Sequence, residues 1–194
     1  MSRLSKEEFR AMNSPLRRLL QRYYEFPLLR SMGIHFTGKA ILEIGCGSGY
    51  GAELIMKDKP RSYLGVDVME EQIELARKRM IPGTEFRLED AARLQSVADA
   101  SMDLVVVFGI LHHIPAWRIV MAECHRVLRP EGEIYLEEPD GELLDWFDRW
   151  SKWGHPKEAR FSLRELENDL SGQGMRILRK SHLFGFGFYR AQRV

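Results

Sequence analysis

The segment Ile41 to Gly51, ILEIGCGSGYG, constrains this chain more than any other. A short apolar run ends abruptly in glycines at alternate positions, Gly45, Gly47 and Gly49, and a helical stretch opens at Tyr50. Glycine reaches backbone conformations closed to other residues and carries no Cβ, so the chain turns sharply and a ligand can approach the main chain. The helix that follows points its first unpaired N–H groups at the same place. A strand, a glycine turn and a helix in this order mark an α/β unit with a ligand site at the carboxyl end of its strand.

The alternation continues along the chain. SYLGVDV (62–68) reads as a second strand, and Glu70 to Met80 as a helix with Ile73, Ala76 and Met80 on one face. Thr84 to Glu89 is a third strand and Asp103 to Phe108 a fourth, whose LVVV suits burial on both faces. Trp117, Val120, Met121, Cys124 and Leu128 make a helix stripe, RPEG (129–132) is turn chemistry, and EIYLEE (133–138) is a fifth strand. Such alternation predicts parallel strands joined by right-handed crossovers. Farther on, Gly141 to Trp153 reads as helical, and Ser162 to Glu165 is a capping box. Met175 to Leu183 and Gly185 to Arg193 read as two strands joined by a tight turn. Ahead of the core, Ser14-Pro15 starts a helix that runs to about Ser31, with Gly33 as its stop. The expected fold is a Rossmann-like, doubly wound, mostly parallel seven-stranded sheet with an antiparallel C-terminal strand. Residues 1–35 form its helical N-terminal extension, residues 36–194 the domain, and 140–160 a lid insert.

Composition narrows the function classes. The chain has 194 residues, suiting one domain, and 44% of them are hydrophobic, enough for a globular core. A net charge of +1 gives no whole-molecule field for nucleic acid or membrane. Locally, Arg3, Lys6, Arg10, Arg17, Arg18, Arg22, Arg30 and Lys39 outnumber Glu7, Glu8 and Glu25. Solvated helix faces account for this; the alternative is a basic rim for an anionic substrate or RNA. Cys46 and Cys124 make neither a disulfide framework nor a zinc spacing. The N-terminus lacks the apolar stretch of a signal peptide, and Leu104 to Leu111 is far too short for a membrane span, so the expected location is cytoplasmic.

Two carboxylates fall at strand ends near the glycine turn. Asp67 closes the second strand, where it can accept from both hydroxyls of a ribose or cap the next helix. Asp90, followed by Ala91 after the third strand, can accept from the exocyclic amine of adenine or act as an N-cap. A dinucleotide site is the competing reading, since GSGYGA (47–52) satisfies a loose G-x-G-x-x-A. That match begins late relative to the strand end, and Glu43, Asp90 and the closing hairpin argue against it.

LEIGCGSGYG, GVDVMEEQIELARKR, EDA, MDLVVVFGILHHI and RVLRPEGEIYLEEP occur here in an order that resembles the class I S-adenosylmethionine-dependent methyltransferases, closest to their small-molecule group. The resemblance covers about residues 38–139, and the hairpin at 175–193 fits the family's reversed final strand. It implies S-adenosyl-L-methionine as cofactor, S-adenosyl-L-homocysteine as product, and in-line methyl transfer to a small-molecule acceptor. Glu43, Gly45 and Gly47, in the turn completed by Gly49, are then expected to cradle the methionine part and sugar of the cofactor. Asp67 would hold the ribose, Val68 and Met69 press on the adenine, and Asp90 and Ala91 read its edge. The backbone around Phe108 would face the cofactor's amino group, with Ile110 and Leu111 lining the pocket.

His112, His113 and Glu138 are candidate general bases at the carboxyl edge of the sheet; the alternatives are a helix start that closes the pocket and an ordinary strand-end carboxylate. His35, His125, His155 and His182 are expected to be structural or exposed. Lid candidates are Tyr23 and Tyr24, with Glu25 and Phe26, and an aromatic stripe of Leu143, Phe147 and Trp150 with Trp146 and Trp153. Core packing is the alternative for that stripe. FGILHH after the fourth strand lacks the polar-Pro-Pro-aromatic run of enzymes that methylate DNA amino groups, so DNA is not expected as a partner. No metal is expected, for want of a magnesium-type carboxylate set. Open alternatives are an RNA methyltransferase, a non-catalytic cofactor-binding module or partner subunit, and transfer of another group of the cofactor.

Overall fold

Why the middle of the chain folds as it does is clearest at β4 (Met102–Phe108), a strand apolar at almost every position. Val105 and Val107 enter one hydrophobic layer, while Leu104, Val106 and Phe108 enter the other. A strand of that composition needs helices on both faces. The computed structural model, which describes residues 5–150 and 155–194, supplies them.

Seven strands form one sheet in the order β3 (Thr84–Leu88), β2 (Ser62–Asp67), β1 (Ala40–Ile44), β4, β5 (Leu128–Pro139), β7 (Phe186–Arg193), β6 (Met175–Leu183). β1 to β5 pair in parallel, and β7 runs antiparallel to both β5 and β6. The expected doubly wound sheet with a reversed final strand is therefore present. RPEG lies inside β5 as a register shift: Met102 pairs with Leu128 and Leu104 with Glu133. Glu131 there takes a left-handed φ of 64°.

In one layer α3 (Phe26–Ser31), α4 (Tyr50–Ile55) and α5 (Glu70–Lys78) bury Phe26, Leu29, Ile55 and Ile73 against Tyr63, Leu104 and Val106. In the other, α6 (Trp117–Val127) and α8 (Leu163–Gly172) bury Trp117, Val120, Leu166 and Leu170 against Leu42, Val105 and Ile134.

The N-terminal extension is helical in three pieces. α1 (Lys6–Met12) is opened by a reciprocal capping box between Ser5 and Glu8. α2 (Pro15–Leu20) has Ser14 as N-cap and Pro15 at its first position. The turn Gln21–Glu25 is widened to π-helical geometry before α3. Proline has no N–H and its ring collides with the carbonyl four residues back, so Pro27 accounts for a widened turn here in place of one regular helix. After β5, α7 (Gly141–Asp148) starts at Asp140, whose carboxylate accepts from the N–H groups of Glu142 and Leu163 and so ties α7 to the start of α8. Arg3 and Trp153 lie outside the described residues. No helix among those described is long and apolar enough to cross a membrane.

Candidate functional site

Parallel pairing brings the carboxyl ends of β1, β2, β4 and β5 to one edge of the sheet. There the chain leaves β1 through Gly45 and Gly47, with φ of 69° and 51°. A Cβ on Gly45 would lie 2.7 Å from Cγ1 of Ile110, so this position needs glycine for space as well as for φ. A Cβ on Gly47 would meet nothing within 4 Å: that stretch of main chain faces open space.

Asp67 organises this turn. Oδ2 accepts from the Gly47 N–H at 3.0 Å and Oδ1 from the Met69 N–H at 2.9 Å. Burial raises its pKa, while those backbone donors pull it down. A carboxylate has about four acceptor sites; besides those two N–H groups the Val68 N–H also faces Asp67, which leaves room for a further donor from a ligand. Glu43, wholly inside the protein, accepts from the Tyr63 hydroxyl at 2.5 Å. Burial pushes its pKa up to about 8, against that hydrogen bond and the charge of Arg17.

Glu43, Gly45, Gly47, Asp67, Phe108 and Ile110 line one cavity of about 90 Å³. Met12, Asn13, Arg17 and Gln21 of the N-terminal extension roof it. The remaining residues expected at a cofactor are not in its wall. Gly49 is the left-handed N-cap of α4, Met69 the N-cap of α5, and Val68 lies between Asp67 and Met69. Ala91 and Leu111 belong to the core layer beneath. Asp90 accepts from the Ala92 N–H at 2.9 Å, a local turn bond, and is not in the wall of the cavity.

A second cavity of about 460 Å³ adjoins the first. Met12, Arg17, Phe108, Gly109 and His113 border both. Its walls are mainly apolar: Leu20, Tyr24, Leu143, Leu144, Phe147 and Phe186. Tyr24 and Phe147 of the lid candidates thus reach it. Trp146 and Trp150 do not: both are exposed, Trp150 to 82%. α7 turns about 100° per residue, so the face holding Leu143, Leu144 and Phe147 leaves Trp146 outside, and Trp150 falls beyond the helix end. Tyr23 is likewise exposed.

Two polar clusters interrupt the apolar wall. In one, Arg17 forms an ion pair with Glu25, beside the buried Glu137. Oε2 of Glu25 and Oε2 of Glu137 are buried with no hydrogen-bond partner among the described residues. Burial raises the pKa of both acids. In the other, the rings of His112, His113 and His155 gather with centroids 4.2 to 5.3 Å apart. Burial lowers His112 and His113 to about 3, helped by the neighbouring imidazoles, so both are neutral at pH 7.

Glu138 does not reach either cavity. Its Oε1 accepts from the N–H groups of Ile110 and Leu111 at 2.8 Å each, and its Oε2 lies 2.8 Å from Nδ1 of His112. It is a fastener for the loop after β4 and for the His112 ring. Burial raises its pKa to about 8.

Sequence reasoning did not single out Glu8, Arg17 or Glu137, and it set His155 aside. Two signals pointed the right way. Ser5 and Glu8 carry the spacing of a capping box, and two adjacent acids end a strand that is otherwise buried on both faces.

Residues 42–136 match the family described as methyltransferase domain. A probable S-adenosylmethionine-dependent methyltransferase from Mycolicibacterium smegmatis is 39% identical over 104 residues, 54% of this chain and 39% of that protein. The phthiotriol/phenolphthiotriol dimycocerosates methyltransferase of Mycobacterium tuberculosis is 36% identical over 117 residues, 58% of this chain and 43% of that protein. The aligned part of this chain thus spans well under half the length of these curated relatives. Among solved structures, the PH0226 protein of Pyrococcus horikoshii superposes with a TM-score of 0.81 at 22% identity, covering 98% of this chain and all of that one.

Proposed function

We propose that this chain, whose residues 42–136 match the methyltransferase domain family, is a class I S-adenosylmethionine-dependent methyltransferase that transfers a methyl group from S-adenosylmethionine to a small, largely apolar acceptor. One observation carries this reading. A small polar cavity edged by Gly47 and Asp67 opens beside a larger apolar one, and Phe108, Gly109 and His113 stand at their border.

The residues present suit the cofactor. Open main chain at Gly47 accepts a close-lying ligand, and Asp67 keeps acceptor capacity for a ribose. Glu43 places a carboxyl where a cation would be welcome. The cavity is smaller than the roughly 300–1,000 Å³ of most small-molecule sites, so full seating requires the Met12–Gln21 roof to shift outward. When bound, S-adenosylmethionine supplies an electrophilic methyl group on a sulfonium.

What the chain itself contributes is position. Adjoining cavities would bring acceptor and cofactor side by side, and holding two reactants in near-attack geometry removes roughly 7–11 kcal/mol of barrier. Leu143, Leu144 and Phe147 exclude water from the acceptor's side. Where the acceptor must lose a proton, Glu137 is better suited to take it than His112 or His113. Glu137 is in the wall of the larger cavity, and its Oε2 has no hydrogen-bond partner among the described residues; burial raises its pKa, so a proton that reached it would be retained. The apolar walls match an acceptor with a hydrocarbon body, and the M. tuberculosis relative is named for a dimycocerosate substrate.

Incubation with S-adenosylmethionine and a cell metabolite extract should yield S-adenosylhomocysteine, with the methyl group found on an apolar metabolite. A thermal-shift series provides the cofactor test. At 100 times its dissociation constant S-adenosylmethionine should add about 2.7 kcal/mol, raising Tm by roughly 5–10 °C. A shift with NAD and none with S-adenosylmethionine would overturn the reading.

A further inference from the structure

We propose that His112, His113 and His155, joined by Glu8, form a binding site for a first-row divalent transition metal ion of the zinc class, set in the wall of the larger cavity. Three distant segments converge there. His112 and His113 lie on the short turn after β4, His155 follows α7, and Glu8 comes from α1. One nitrogen from each imidazole lies within 4.8 Å of the others. A tetrahedral ion with metal–nitrogen bonds of about 2.0–2.1 Å holds its ligand nitrogens about 3.4 Å apart. Small side-chain rotations close that difference.

The outer groups are arranged as metal-bound histidines require. Nδ1 of His112 is 2.8 Å from Oε2 of Glu138, and Nδ1 of His155 is 2.6 Å from Oδ1 of Asp148. Glu138 is itself fixed by backbone donors, and Asp148 by Arg160. A carboxylate on Nδ1 orients the ring of a metal-bound histidine, whose ligand atom is then Nε2.

Glu8 is the independent sign. Its Oε2 accepts from the Ser5 N–H, while Oε1 is buried without a hydrogen-bond partner among the described residues, 3.8 Å from Nε2 of His155. A buried carboxylate oxygen is costly unless it meets a positive charge or a metal. A dication supplies that charge. Three imidazoles and one carboxylate suit zinc, cobalt, nickel or iron and not magnesium or calcium, which take oxygen ligands.

The site's use rests on the methyl-transfer reading. Zinc expands to a fifth ligand, and the side left open faces the cavity that His113 shares with the cofactor side. An acceptor hydroxyl bound there is oriented toward the border of the two cavities.

Metal binding tests this without turnover. Protein free of a histidine tag, stripped with chelator, is titrated with Zn²⁺ and with Co²⁺, following bound metal by elemental analysis and the visible ligand-field bands of Co²⁺. One equivalent should bind to wild type, at least about tenfold more weakly to His155→Gln and to Glu8→Gln. Two variants guard against one that fails to fold. No stoichiometric metal in wild type, or equal affinity in both folded variants, overturns the site. A parallel S-adenosylmethionine thermal shift on the same samples separates the readings. Metal loss with an intact shift leaves methyl transfer standing, and metal binding without a shift leaves the metal site standing alone.

Discussion

Replacing Glu43 by glutamine should make the protein's stability less dependent on pH, by an amount the structure sets. Glu43 is buried beside Tyr63, Gly51 and Cys46, and burial lifts its pKa from 4.5 to about 8. Between those values the folded chain keeps a proton that the unfolded chain has released. Wild type therefore loses stability as pH rises through that window, by up to about 1.4 kcal/mol per pH unit. Below pH 4.5 both states hold the proton, and above about pH 8 both have lost it, so the dependence flattens at either end. Glutamine keeps the shape and an oxygen for the Tyr63 hydroxyl but cannot titrate. From pH 5 to pH 7 wild type should lose about 2.5 kcal/mol relative to Glu43→Gln. Urea unfolding of both proteins at several pH values measures that gap. A gap that stays constant would mean Glu43 is ionised in the folded protein. The same proton bears on binding. A cationic cofactor in this cavity favours the ionised acid, so association at pH 7 should release up to about one proton, read by calorimetry in buffers of different ionisation enthalpy.

Glu138→Ala should destabilise the fold by at least about 3 kcal/mol, because it strands the buried N–H groups of Ile110 and Leu111 and frees the His112 ring. At this chain length that is a fall in Tm of roughly 6–12 °C, and a change under about 2 °C would remove Glu138 from its fastening role. Phe147→Ala should raise KM for an apolar acceptor severalfold, since Phe147 lines the larger cavity, whereas Trp150→Ala should leave KM unchanged. Equal effects of the two would show that the acceptor binds elsewhere.

The fold was legible because its signals are periodic and local. LVVV in β4 and most of the stripes of α5 and α6 state their burial directly, and the Ser162 capping box lies where the spacing placed it; Met80 departs, since it falls past the end of α5 with a left-handed φ of 49° and is exposed, and Leu128 begins β5 instead of ending α6. The glycine turn was equally readable, since a positive φ followed by a helix has few sequence solutions. What a linear reading missed was convergence across long separations. Glu8 and His155 are 147 positions apart, yet their side chains approach to 3.8 Å. The capping-box spacing of Ser5 and Glu8 marks a helix start and says nothing of His155; the contact follows from how α1 and the segment after α7 fold over the sheet edge. The tryptophans of α7 drew notice as large apolar residues, but their exposure is decided by helix phase and by where the helix stops.

Calorimetric titration with S-adenosylmethionine of wild type, Asp67→Ala and Asp67→Asn tests the cofactor site most directly. The account predicts one site per chain in wild type and at least a tenfold loss in Asp67→Ala, about 1.4 kcal/mol, with cooperative unfolding retained. Asparagine, which keeps one acceptor oxygen, should fall between. Equal affinity in all three folded proteins, or heat from NAD and none from S-adenosylmethionine, would contradict it.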